Sequence, residues 1–114
     1  MVAPAAGAVV LVRFPFSDLS ETKLRPAVVL AEVGRGDCIL CQITSKPYGD
    51  ASAIELDNDA FASGSLRVVS YARPTKLFTA NQNLVAAQVA NLKPDALRTI
   101  AQAVARIVHA GKLS

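Results

Sequence analysis

Sustained helical spacing of apolar residues marks one stretch of this chain: Leu97, Ile100, Ala101, Val104, Ile107 and Val108, near the C-terminal end. Upstream, turn residues cut the sequence into short runs rich in Val, Leu and Ile, which is strand composition. The chain is therefore predicted to be α+β and mostly β, a small, strongly curved sheet or barrel capped by one C-terminal amphipathic helix. Pro94 falls in the first helical turn, where its missing N–H costs nothing, and Asp95 suits the positive end. Gly111 supplies the stop. Arg98, Gln102, Arg106 and His109 take the opposite, solvated face, which makes His109 a surface residue rather than a catalyst.

The apolar runs predict strands over Ala8–Phe16, Pro26–Ala31, Cys38–Thr44, Ala53–Leu56, Leu66–Tyr71 and Leu84–Leu92. Gly34-Arg35-Gly36-Asp37 supplies the flexible residues of a hairpin turn between the second and third. Ser17–Lys23 and Lys46–Asp50 are polar, turn-rich loops, Asp57–Gly64 is a polar excursion, and Pro74–Phe78 is read as a single helical turn. The 114 residues form one domain, 1–114, large enough for a single core.

An apolar content of 52% with 18% charge describes a packed globule rather than a disordered chain. The apolar opening Val2–Val12 is too short to span a bilayer and is broken by Pro4 and Gly7. No basic segment precedes it, so a signal peptide is not expected and the location is read as cytoplasmic, with no membrane partner. Cys38 and Cys41 have the C-x-x-C spacing of redox and metal sites. They lie on a strand, however, where residues three apart point to opposite faces, so they are read as small core residues. The net charge is +3, yet Asp50, Glu55, Asp57 and Asp59 put four of the nine acids into ten residues without a base. That asymmetry suits a polyanionic partner on another face, although a solvated surface accounts for it as well.

Lys23-Leu24-Arg25-Pro26-Ala27-Val28-Val29-Leu30 sets a cationic loop against a buried strand. Pro26 fixes its own φ and biases Arg25 toward an extended backbone at the strand mouth. The planar guanidinium is suited to phosphate oxygens and stays charged at any working pH. Taken alone, the same arrangement is an ordinary solvated loop charge.

Four ordered blocks carry a resemblance that runs from Gly7 to about His109. They are Gly7–Asp18 (Gly-Ala-Val-Val-Leu-Val-Arg-Phe-Pro-Phe-Ser-Asp), Arg25–Leu30 (Arg-Pro-Ala-Val-Val-Leu), Gln42–Ser45 (Gln-Ile-Thr-Ser) and Ser70–Thr79 (Ser-Tyr-Ala-Arg-Pro-Thr-Lys-Leu-Phe-Thr). Together they resemble the MazF/PemK endoribonuclease toxins of type II toxin–antitoxin pairs. The resemblance implies an SH3-like barrel, a homodimer, cleavage of single-stranded RNA without a metal or other cofactor, and neutralisation by an antitoxin whose acidic tail covers the groove. It also implies that Arg25 and Thr44 are the catalytic pair.

In such chemistry the RNA's 2′-hydroxyl attacks the adjacent phosphorus, leaving a 2′,3′-cyclic phosphate and a 5′-hydroxyl. Arg25 would meet the charge on the phosphorane. Thr44 would hydrogen-bond a phosphate oxygen or orient the 2′-hydroxyl; outside the family pattern it is an ordinary strand-end hydroxyl. Lys23, Lys46, Arg73 and Lys76 are candidate phosphate contacts, with Ser17 and Ser45 beside them in the matching blocks. Phe16 and Tyr71 are candidate stacking residues for unpaired bases. The acids at 50–59 read as a solvated loop.

Two departures stand out. Many members carry Gly-Asp at the first strand, where this chain has Gly7-Ala8. Many place a glutamate five residues before the arginine, where this chain has Ser20, with Glu21 next to it. Glu21 is accordingly the candidate general base. The same fold resembles the CcdB gyrase poisons, which bind a protein and do no chemistry, but the C-terminal end here lacks an aromatic anchor. A degenerate relative that binds RNA or antitoxin without cutting is the third reading.

Overall fold

The computed structural model describes residues 3–15 and 22–113. Seven strands and one helix follow in order: β1 (Ala8–Pro15), β2 (Thr22–Gly34), β3 (Asp37–Thr44), β4 (Ile54–Leu56), β5 (Phe61–Gly64), β6 (Ser70–Asn81), β7 (Val85–Leu92) and α1 (Pro94–Ala110). They form one antiparallel sheet in the order β4-β6-β3-β2-β1-β7-β5. Register shifts interrupt the β1–β7, β2–β3, β3–β6 and β5–β7 ladders. Each such bulge bends its strand and adds twist, and together they curl the sheet into a half-barrel.

The curl explains why Ala8–Pro15 alternates so weakly in sequence. Val9 and Val10 point to opposite faces, yet both are fully buried, as are Val28 and Val29. On one face Val9, Val28, Cys41 and Ile43 pack with Phe61 and Ile100. On the other, Val10, Val29, Cys38 and Leu40 pack together, with Phe78 and Val85 against them. Strands covered on both sides read as continuous apolar runs rather than as period-two patterns.

The hairpin signal is borne out: Gly34 pairs with Asp37, and Arg35 and Gly36 both adopt positive φ, 57° and 81°. Those are the dihedrals a two-residue turn requires to match strand twist. At Gly64, with φ +67°, an added β-carbon would strike the Val89 carbonyl and the backbone of Ala90, so β5 approaches β7 there only because the residue is glycine.

Three expected elements are corrected. Pro74–Phe78 is not a helical turn but the middle of β6. Between Cys41↔Leu77 and Ile43↔Ala72 the β3–β6 register jumps, so Arg73–Lys76 bulge away from β3 and Pro74 owes that ladder no N–H. Residues 65–69 precede β6 instead of forming a strand from Leu66. The polar excursion at 57–64 contains a 3-10 turn, Asn58–Ala60, capped by the Asp57 carboxylate accepting from the Asp59 N–H at 3.0 Å, and then β5.

Helix α1 begins with Pro94 and ends at Gly111, whose φ of 77° and N–H bonds to the Ile107 and Val108 carbonyls close it. Ile100 and Ala103 are buried, and Ala96, Leu97 and Val104 pack on the same cluster. Ala101 is exposed and Val108 is 70% exposed, against expectation. At ~100° per residue they lie about 100° and 80° round from Ile100, past the edge of the stripe that meets the sheet. Among the described residues no helix is long and apolar enough to cross a membrane.

Candidate functional site

Pro26 creates the opening at which the candidate residues meet. The β2–β3 ladder pairs Ala27 with Gln42 and stops there. Pro26 has no N–H to extend it, so the two strands part at their ends. The same register, carried two residues further, sets Arg25 opposite Thr44. Both side chains line a cleft of about 200 Å³ with Gln42, Ser45, Arg67 and Ser70. Arg25 is exposed and Thr44 half-buried.

The Thr44 hydroxyl is oriented by its own loop: it accepts from the Lys46 N–H at 3.1 Å and donates to the Lys46 carbonyl at 3.3 Å. That turn fixes the oxygen at the cleft wall and leaves it acceptor capacity. Ser70, 4% exposed, donates to the Val68 carbonyl at 3.0 Å, holding the 66–69 segment over the opposite side.

The segment following Thr44 is braced from below. Asp50 accepts from the Ser52 N–H at 2.9 Å, the Ser52 hydroxyl at 2.6 Å and Arg73 Nε at 2.7 Å. Its side chain is only 7% exposed, and that of Arg73 is 25% exposed. The Ser52 hydroxyl bond first, and then the bond from Arg73, hold the Asp50 carboxyl below its ordinary range. Asp50 therefore departs from the solvated loop expected at 50–59, and Arg73 Nε is engaged in the scaffold. Neither residue lines the cleft.

The remaining candidates are scattered around this frame. Lys23 is exposed on β2, two residues from Arg25 and so on the same side of the strand. Lys46 is exposed in the loop beyond Thr44, and Lys76 is exposed on the β6 bulge. Tyr71 is half-buried and faces Thr44 across the β3–β6 ladder without lining the cleft. Phe16, Ser17 and Glu21 lie outside the described residues. His109 is exposed in the last turn of α1.

Arg67 is the residue that sequence reasoning missed. The strand expected at Leu66–Tyr71 gave it no role; in the fold it stands on the irregular segment before β6 and lines the same cleft as Arg25. It makes no ion pair with any described residue. The two cysteines behave as expected. Both are free and buried, in opposite clusters. Cys41 donates to the Arg73 carbonyl at 3.2 Å, and burial pushes its thiol up to about 11.

The family model for PemK-like, MazF-like toxins of type II toxin–antitoxin systems matches residues 5–108. Among curated proteins there is no sequence match. In solved structures the fold is similar to a MazE–MazF complex from Deinococcus radiodurans, with a TM-score of 0.76 and 20% identity over 96% of this chain and 98% of that one. It is similar to MazF alone from that organism, with a TM-score of 0.73 and 20% identity over 96% and 99%. An endoribonuclease in complex with its cognate antitoxin from a mycobacterial species aligns with a TM-score of 0.67 and 13% identity over 98% and 97%.

Proposed function

Because the chain belongs to the PemK-like, MazF-like toxins of type II toxin–antitoxin systems, we propose that it is a metal-independent endoribonuclease that cuts single-stranded RNA, with Arg25 and Thr44 as its catalytic pair. The observation that carries this reading is that Arg25 and Thr44, nineteen residues apart in sequence, line one cleft at the point where Pro26 parts β2 from β3.

The reaction follows from the chemistry of RNA. The 2′-hydroxyl loses its proton and its oxygen bonds to the neighbouring phosphorus; the P–O5′ bond breaks and O5′ takes up a proton. The products are a 2′,3′-cyclic phosphate and a 5′-hydroxyl, so no external water or cofactor enters the balance. Between them lies a pentacovalent phosphorane carrying about two negative charges on its non-bridging oxygens. Arg25 meets those oxygens with a guanidinium that stays charged throughout. Arg67, across the cleft, adds a second positive charge. Thr44, its proton committed to the Lys46 carbonyl, accepts from the 2′-hydroxyl and orients it, its own geometry set by the bonds to Lys46. Glu21 is the candidate for moving the 2′ proton. An antitoxin with an acidic, disordered segment would block the cleft by pairing with the same arginines. A homodimer is the assembly this reading expects.

Incubating the protein with a long single-stranded RNA in EDTA, beside Arg25→Ala, tests the proposal. Cuts by the wild type ending in 2′,3′-cyclic phosphate are expected, with Arg25→Ala slower by roughly 10²–10³-fold. A folded wild type that leaves several RNAs intact, or an Arg25→Ala variant that cuts at the wild-type rate, overturns it.

A further inference from the structure

The segment 66–68 is shared between two clefts. On one side lies the Arg25–Thr44 cleft; on the other is a second cleft of about 260 Å³. The floor of the second is apolar, made by Leu56 and Phe61, which are 4% and 9% exposed. Its outer wall is Val68 and Val69, both solvent-facing valines. Asp57, Asn58 and Arg67 bring polar groups to its rim, and the Asp57 carboxylate is engaged by the Asp59 N–H.

The side chains of Asn58 and Arg67 are uncommitted. The Asn58 amide makes no hydrogen bond to any described residue, so its donor and its acceptor both remain available. The turn that carries it is held in place, because Asp57 caps it and the Lys93 N–H donates to the Ala60 carbonyl at 2.8 Å. Arg67 stands between the clefts without an ion-pair partner among the described residues. The volume falls just under the range of about 300–1,000 Å³ usual for drug-sized ligands, which suits one flat ring system.

From this juxtaposition we infer that the second cleft is a nucleobase subsite for the nucleotide next to the scissile phosphate. The apolar floor and valine wall take the faces of the base. The Asn58 amide, a donor and an acceptor side by side, reads its hydrogen-bonding edge, and Arg67 holds the intervening phosphate. An amide paired with a base edge distinguishes bases, whereas phosphate contacts only position the strand. The subsite thus deepens the ribonuclease reading and rests on it for the identity of the ligand: it supplies sequence preference at the nucleotide beside the cut.

Two measurements test it. Isotope-labelled protein is titrated with each of the four nucleoside 3′-monophosphates and with ribose 5-phosphate while backbone amide signals are followed. At least one nucleotide is expected to shift the signals of residues 56–61, ribose 5-phosphate to leave them in place, and Asn58→Ala to weaken the nucleotide's binding about fivefold or more. No shift in that segment, an equal shift with ribose 5-phosphate, or unchanged binding by Asn58→Ala overturns the subsite, whether or not the protein cuts RNA. On a long transcript, Asn58→Ala is expected to keep cutting while its preference at one base beside the cut falls about fivefold or more. A cutting variant with an unchanged preference profile overturns the inference and leaves the ribonuclease reading standing.

Discussion

Cys38 and Cys41 show how far a residue can be read before its fold is known. Their spacing invites a redox or metal reading, but strand geometry sends residues three apart to opposite faces, and the two thiols do end in separate clusters. Burial raises Cys41 to about 11, so at pH 8 it is overwhelmingly the unreactive thiol. A colorimetric disulfide reagent at that pH is expected to titrate neither cysteine quickly in the native protein and two per chain after denaturation; rapid native labelling of Cys41 would contradict its placement. Arg25 stood out for a different reason: it opens the Arg-Pro-Ala-Val-Val-Leu block of the family resemblance, and the proline after it biases its backbone. Arg67 was not, because an isolated arginine among valines carries no signal until another segment faces it.

At the level of elements, the segment joining β3 to β4 depends on one carboxylate. Asp50 ties Ser52 and Arg73 together, and Arg73 sits at the start of the β6 bulge. The Asp50 pKa is depressed in the fold, so its contribution to stability is present above the unfolded value and is lost as pH falls through the lower folded value. The wild type therefore keeps this brace at neutral pH and gives it up only below about pH 4. Asp50→Asn is expected to cost about 1–2 kcal/mol at pH 7, a fall of about 4–8 °C in melting temperature, because a charged hydrogen bond to a partly exposed arginine is lost. The difference from wild type should shrink as pH drops below 4; a gap that stays constant down to pH 2 would show that the charge is not the cause. The helix was readable from its spacing alone, whereas β6 was not. Pro74–Phe78 reads as a single helical turn unless the bulge opposite β3 is known.

Over the whole molecule, charge is sorted by the fold rather than by the sequence. The ten-residue acidic run sends Asp50 inward to Arg73 and leaves Glu55, Asp57 and Asp59 exposed, while Arg25 and Arg67 converge on one cleft. If that cleft grips the backbone of single-stranded RNA, affinity must fall with salt as bound cations are released. Arg67→Ala is expected to weaken binding to a short single-stranded RNA and to reduce the slope of log affinity against log salt by about 0.7, one phosphate contact for a single strand. An unchanged slope would remove Arg67 from the phosphate path.

The strand-rich character, the C-terminal helix with its caps, the hairpin at Arg35–Gly36 and the pairing of Arg25 with Thr44 as candidates were all determined by local sequence. Each rests on backbone preference within a few residues or on an ordered set of short motifs. Tertiary structure alone decided that Val9 and Val10 would both be buried, that Pro74 would lie within a strand, that Asp50 would bind Arg73, and that Arg67 would face Arg25. Those outcomes depend on how the bulges curl the sheet, which brings together residues that no local pattern relates.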